Sequence, residues 1–401
     1  MGIRQGWGRA CALGGALVGL WACSSSGSDA GAGATGGTTT TSTSTGSGGT
    51  GTGGDATGGT GTGGTGTGGT GTGGTGTGGT GTGGTGTGAT GGAGGSAGAP
   101  TGAYFPAGAW MYQDISQAAV RADSAAITQW LENNGSWGTG EIRIDYSIEV
   151  LQKTPQTPYQ SFIQTAEFYS PDCDAVDVPV PPGGALEGET GYECTSGGDC
   201  HLIVVDNDLH RLFEMWRADI QGGTFYGGCL AAWDMTRVYG VEGRGEQCTS
   251  ADAAGFPIAP LLFSADEVAA GEIAHAIRFI LPNARMRGGW YSHPGTHAGG
   301  PSGPAPAPVY GSRWRLRANF DLASLPNDGA RVVARALQRY GMALADGGNI
   351  ALTAQSDRFT VAKWAGLLGT FDLASIQPTD FEVLDGGPAI QLTYDCVRSA
   401  Y

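Results

Sequence analysis

Asp252, His275, His297 and Asp346 are the side chains in this 401-residue sequence whose types suit general acid–base chemistry. An imidazole beside a carboxylate in apolar surroundings can exchange protons with a substrate near neutral pH. Asp252 closes a Ser250-Ala251-Asp252 tripeptide that lacks the glutamate of a capping box, because Ala253 stands in that place. Its carboxylate is therefore free for another role. Ser264-Ala265-Asp266-Glu267 does have the glutamate and reads as a capping box. From Glu272 to Leu281 the chain alternates like a strand. That puts His275 on one face with Ile273, Ile277 and Phe279, and Arg278 on the other with Glu272. Asp346-Gly347-Gly348-Asn349 reads as a turn that presents Asp346 to a cleft.

The segment Trp290 to His297 sets aromatic, hydroxyl and imidazole groups on a chain bent by Pro294 and Gly295. Glycans are held by aromatic faces and polar side chains, so Trp290, Tyr291, His293 and Arg278 are candidate substrate-binding residues. His293 and His297 are four apart, but Pro294 and Gly295 exclude the helix that a zinc motif needs. No Cys-x-x-Cys occurs, and no nucleotide fingerprint, so neither metal nor cofactor is expected. Asp206-Asn207-Asp208 lacks a complete calcium loop. No Gly-x-Ser-x-Gly elbow supports a serine hydrolase. Each candidate also has a plain structural reading: a hydrogen-bonded core histidine, a turn, or a loop whose aromatics pack inward.

The elements that must position these groups are mostly strands. Ile142, Ile144, Tyr146 and Ile148 alternate with Arg143, Asp145 and Ser147. His201–Val205 and Arg211–Trp216 flank a turn and read as a hairpin. Leu230–Trp233, Ile273–Ile280, Trp314–Phe320, Met342–Leu344, Ile350–Leu352 and Ile390–Tyr394 read as further strands. Helices are expected around Ile127, Trp130 and Leu131, after Asn327 or Asp328, and over Val361–Leu368. The fold class is mainly β, an antiparallel β-sandwich or twisted sheet with a few packed helices, with an α+β domain as the alternative.

The domain spans 103–401. Before it come an export signal (residues 1–22) and a Gly/Thr-rich tether (23–102). Arg4 and Arg9 precede an apolar run too short to span a bilayer. Leu20-Trp21-Ala22-Cys23 has the form of a lipobox, with Cys23 as the lipidation site. Much of the chain's 76 glycines fall in the tether, which has no apolar face to bury. Its reach is about 50 Å. An exported lipoprotein of the outer membrane or cell surface follows, held to membrane through its lipid alone. The net charge of −15 excludes nucleic acid as a partner. A monomer is expected.

Cys173, Cys194, Cys200, Cys229, Cys248 and Cys396 are even in number in an oxidising compartment, so disulfides are expected. Fifteen pairings are possible. The favoured set is Cys194–Cys200 across a turn, Cys229–Cys248 across a glycine-rich excursion, and Cys173–Cys396 as the remainder.

The segments CTSGGDCHLIVVDNDLHRLFEMW, Thr249–Phe279, His293–His297, Gly311–Asp321 and YGMALADGGN resemble a widespread family of exported bacterial proteins. The resemblance covers nearly all of 103–385. It implies export and an intact fold, and carries no catalytic residues. The expected function is carbohydrate-active, a polysaccharide hydrolase or lyase working by general acid–base chemistry on a polysaccharide or envelope glycan. The alternative is a non-catalytic glycan- or envelope-binding surface protein.

Overall fold

The computed structural model describes residues 103–398. The export signal, Cys23 and the tether lie outside them. Among the described residues there are three α-helices: α1 (Ser124–Asn133), α2 (Ala265–Ala270) and α3 (Asp328–Arg339). None is long and apolar enough to cross a membrane. Ten strands build the two larger sheets. They are β1 (Ile144–Ile148), β2 (Leu151–Gln152), β3 (His201–Asp206), β4 (Arg211–Trp216), β5 (Leu230–Asp234), β6 (Ile277–Leu281), β7 (Arg313–Leu316), β8 (Met342–Gly347), β9 (Leu352–Gln355) and β10 (Phe381–Val383). The large sheet has the order β1-β9-β6-β8-β7-β10, and the smaller one β5-β4-β3-β2. The protein is mainly β with few packed helices, as its patterning predicts. The large sheet is mixed: β1 with β9 and β6 with β8 run parallel, while β7 pairs antiparallel with β8 and β10.

Alternation along β6 gives this sheet two unlike faces. Ile277 and Phe279 point one way. The Phe279 ring lies 6.3 Å from Trp137 and 5.6 Å from Trp314, and Phe381 of β10 completes the aromatic cluster. Burying side chains of this size stabilises by about 1.5–3 kcal/mol each. Arg278 points the other way. Thr353 of β9 lies beside it, because Phe279 is opposite Leu352, and Asp145 of β1 is opposite Thr353.

Asp346 reaches that same polar face through a bulge. Phe279 pairs with Leu344 but Ile280 pairs with Asp346, so Ala345 is an extra residue in β8. Were Ile280 paired with Ala345 in regular register, alternation would turn Asp346 to the aromatic face. Asp346 is therefore a strand residue, not the first residue of a turn; β8 continues through Gly347.

The smaller sheet contains the expected hairpin of β3 and β4. Ile203 and Val205 belong to the main core, and Leu202 and Val204 to a satellite core behind the sheet. His201 shares its face with Ile203, toward the main core. In α3 the Asn327 side-chain Oδ1 accepts the N–H of Ala330 at 2.8 Å, and Val332, Val333, Ala336 and Leu337 are buried, as the sequence predicts. The capping box at α2 also forms as expected.

Three further expectations need correction. Val361–Leu368 is a run of turns. The Asp266 carboxylate takes the N–H groups of Val361 and Ala362, the Asp357 carboxylate takes that of Trp364, and Gly366 has φ +77°. Side-chain acceptors replace the helical ladder there. His275 is not in a strand, since β6 begins at Ile277. The disulfides are Cys173–Cys229, Cys194–Cys200 and Cys248–Cys396. Cys194–Cys200 matches expectation, and the other two pairs are exchanged. The cause is backbone pairing remote in sequence. Asp174 N–H donates to Leu230 O, which brings Cys173 beside Cys229, and Glu246 bridges Val397, which brings Cys248 beside Cys396.

Candidate functional site

Arg278 joins two of the nominated acids. Its Nε donates to Asp252 Oδ1 at 2.7 Å and its Nη2 to Asp346 Oδ2 at 2.8 Å, while Nη1 approaches Thr353 Oγ1 at 3.4 Å. Nε and Nη2 share one edge of a guanidinium, so the two carboxyls lie side by side. Exposure is 0% for Asp252, 4% for Arg278 and 5% for Asp346. Asp252 Oδ2 has no hydrogen-bond partner among the described residues.

The Asp252 turn is fixed from several sides. Ser250 Oγ accepts the N–H of Asp252 at 3.0 Å and donates to Phe256 O at 2.6 Å. Ala254 N–H donates to Ala345 O, so the bulge of β8 also anchors this turn. Thr296 donates its N–H to Ala254 O and its hydroxyl to Cys248 O at 2.8 Å. Gly255 has φ +80°, and a Cβ there would lie 2.1 Å from Thr296 Oγ1, so only glycine fits.

A second charged pair extends the cluster. His201 Nδ1 lies 2.5 Å from Glu187 Oε2, and its Nε2 lies 3.1 Å from Ala251 O, next to Asp252. With a carboxylate and a carbonyl as partners, both ring nitrogens donate, as an imidazolium does. Burial opposes that charge, yet Glu187 outweighs it and pushes the histidine up to about 9. Glu187 is held below its ordinary value: burial works against its charge, and His201 prevails. Asp145 is raised by burial and by Glu187, against Ser147 and Arg278. Asp145, Ser147 and Glu187 are the half-buried members.

Four carboxyls thus meet two cationic groups. Burial raises Asp346 to about 7; Arg278 opposes the rise and Asp252 adds to it. Asp252 is also raised by burial against the pull of Arg278. Arg278 stays charged, because its two carboxyl partners outweigh burial. Burial therefore favours a proton on the Asp252–Asp346 pair, beside a charged Arg278 and a charged His201.

The other nominated residues lie in different settings. His275 Nδ1 donates to Ala276 O at 2.8 Å, and its Nε2 meets Glu267 Oε1 at 3.1 Å. Its charge is favoured by Glu267 despite burial. His297 Nδ1 lies 3.0 Å from Ala253 O, and burial pushes that imidazole down, so it is neutral and braces the Asp252 turn through backbone. Tyr291 is buried and donates to Glu246, which also meets His293 Nε2 at 2.9 Å. Trp290 is half-buried beneath the Arg287 guanidinium, 4.1 Å from its ring centroid. Trp290 and Tyr291 pair with Gln391 and Ile390. The structure brings together Asp252, Arg278 and Asp346, and sets His275 and the 290–297 loop on partners of their own.

His201, Glu187 and Asp145 are the members the sequence reading did not nominate. His201 carries a usable signal, since it is ionisable on the inward face of an otherwise apolar strand, where an unpaired charge is costly; Asp145 stands with Arg143 and Ser147 on the polar side of its strand and carries none. Glu187 lies in an irregular segment and carries none. Asp172 with Cys248 and Cys396, and Glu189 with Cys194 and Cys200, bring carboxylate and sulfur close. Both cysteine pairs are disulfides, which lack the thiolate that ligates metal.

No family model, no curated protein and no solved structure matches this chain. The functional argument rests on the site itself. Its groups are of the types that proton transfer uses: two carboxyls and an imidazolium, ordered around one guanidinium.

Proposed function

We propose that the domain is an exported, surface-tethered enzyme that cleaves polysaccharide by general acid–base chemistry, as a hydrolase or a lyase. The observation that carries this reading is the carboxyl pair on Arg278, which shares a proton near neutral pH. One carboxyl of such a pair donates to the leaving glycosidic oxygen while the other takes a proton or stabilises developing positive charge. The His201 imidazolium, fixed by Glu187 and Ala251 O, orders the Asp252 side. Asp145, Ser147 and Glu187, nearest to solvent, are where substrate enters. The lipobox ending at Cys23, the tether and the resemblance to exported bacterial proteins support a place at the cell surface, where polysaccharide is the abundant polymer.

Release of soluble products from a panel of plant, algal and bacterial polysaccharides tests this. The parent protein cleaves at least one polymer. Asp346→Asn and Asp252→Asn each lower the rate by about 100-fold or more while circular dichroism stays unchanged. Full activity in both variants, or cleavage of no polymer, rejects the reading. A second reading, glycan binding without catalysis, is favoured by the depth of Asp252, which is fully buried. It predicts retention on an insoluble glycan with no product formed.

A further inference from the structure

A cavity of about 840 Å³ opens beside α2 and shares no lining residue with the Arg278 cluster. Its polar lining includes Tyr104, Tyr112, Asp266, Glu267, Glu272 and His275. The volume lies within the roughly 300–1,000 Å³ typical of small-molecule sites.

The lining offers both donors and acceptors. Tyr112 Oη accepts the N–H groups of Tyr104 and Phe105 at 3.0 and 3.3 Å, which leaves its own proton to donate. The Tyr104 hydroxyl has no hydrogen-bond partner among the described residues, although it lies close enough to Glu267 and Tyr112 to feel both. Glu267 is locked in place twice. Its Oε2 accepts from Ser264 N–H and Oγ at 2.9 and 2.8 Å, and its Oε1 meets His275. The capping box thus doubles as a rigid cavity wall. No lysine or arginine lines the cavity, against three carboxylates and one imidazole.

That charge balance selects a class of ligand. A uronate, phosphate or sulfate entering here meets three carboxylates, and the one basic group of the lining, His275, is already held by Glu267. Hydroxyl and ammonium groups meet carboxylate acceptors, phenol donors and aromatic rings. We infer that this cavity binds a sugar unit without negative charge, either neutral or amine-bearing, as a site separate from the Arg278 cluster. The inference rests on the polysaccharide reading only in taking the ligand to be a sugar.

Titration calorimetry on the full chain tests it, with cellobiose, the glucosamine dimer and digalacturonate as probes. Cellobiose or the glucosamine dimer binds, and digalacturonate does not. Tyr104→Phe removes a hydroxyl that holds nothing in the protein, and it weakens binding about fivefold. Ala270→Trp, at the exposed end of α2 on the cavity lining, abolishes binding. Binding by neither favoured probe, digalacturonate binding of equal strength, or undiminished binding in either variant overturns the inference. Asp346→Asn lies outside the cavity and keeps the binding. Failure of catalysis and failure of this site are therefore seen separately.

Discussion

Arg278 and Phe279 are adjacent in β6 and face opposite sides of one sheet. On the Phe279 side, Trp137, Trp314 and Phe381 stack edge to face, and area removed from water does the stabilising. On the Arg278 side every gain in Coulomb attraction is set against lost hydration of the ions. The aromatic face tolerates approximate fit. The charged face requires each partner in place, and it is the face on which protons can move. The contrast teaches that the two sides of one strand can be under different constraints: stability on one and a charge arrangement on the other.

The strongest test of that contrast changes one residue on each side. Arg278→Met leaves Asp252 and Asp346 buried together without their shared cation, and should cost about 3–5 kcal/mol at pH 7. The loss should shrink at pH 5, where the carboxyls protonate. Phe279→Ala should cost about 3–5 kcal/mol at either pH. Urea unfolding at the two pH values measures both. An equal Arg278→Met penalty at both would show that the charge account is wrong.

Next in size is the pH dependence of stability. The folded Asp346 value of about 7 lies above its ordinary 3.8. Its stabilising contribution is therefore complete below that ordinary value and is lost as pH rises through about 7. His201, at about 9 against 6.5, contributes fully below pH 6.5 and loses its contribution as pH rises through 9. Asp346→Asn should flatten the decline between the first pair of values and leave the second. Melting temperatures across that range will show whether the slope belongs to Asp346. The smallest effect should come from Thr353→Val. Its contact with Arg278 is 3.4 Å, and a loss below about 1 kcal/mol is expected in denaturant unfolding.

Local features were legible in the sequence. The Asn327 cap, the capping box at Ser264 and the β3–β4 hairpin all rest on residues within a few positions of one another. Asp252 was legible too, as a carboxylate without a local task, and its task proves to be Arg278. What could not be read were contacts between distant segments. The exchanged disulfides follow from Asp174 lying along Leu230 and Glu246 along Val397. The apparent Asp-Gly turn at Asp346 is a strand because Ile280 and Leu281 of β6 pair with Asp346 and Gly347, and Gly348 N–H donates to Leu281 O. His201 looked like the first residue of an apolar strand, and only the folded chain brings Glu187, from an irregular segment, and the Ala251 carbonyl, from the Asp252 turn, to it.

The bulge in β8 has a consequence for variation at that position. A strand has two possible parities, and Ala345 changes the parity of everything after it. Exchange of Ala345 for another small residue should preserve the site, because the residue count is unchanged. Removal of Ala345 should straighten β8 and leave Asp346 opposite Ile280, on the side of Arg278, whereas pairing Ala345 itself with Ile280 would carry Asp346 to the side of Phe279 and leave Arg278 with one acid. At this place the pairing register, more than the identity of the bulged residue, decides whether the two carboxyls meet.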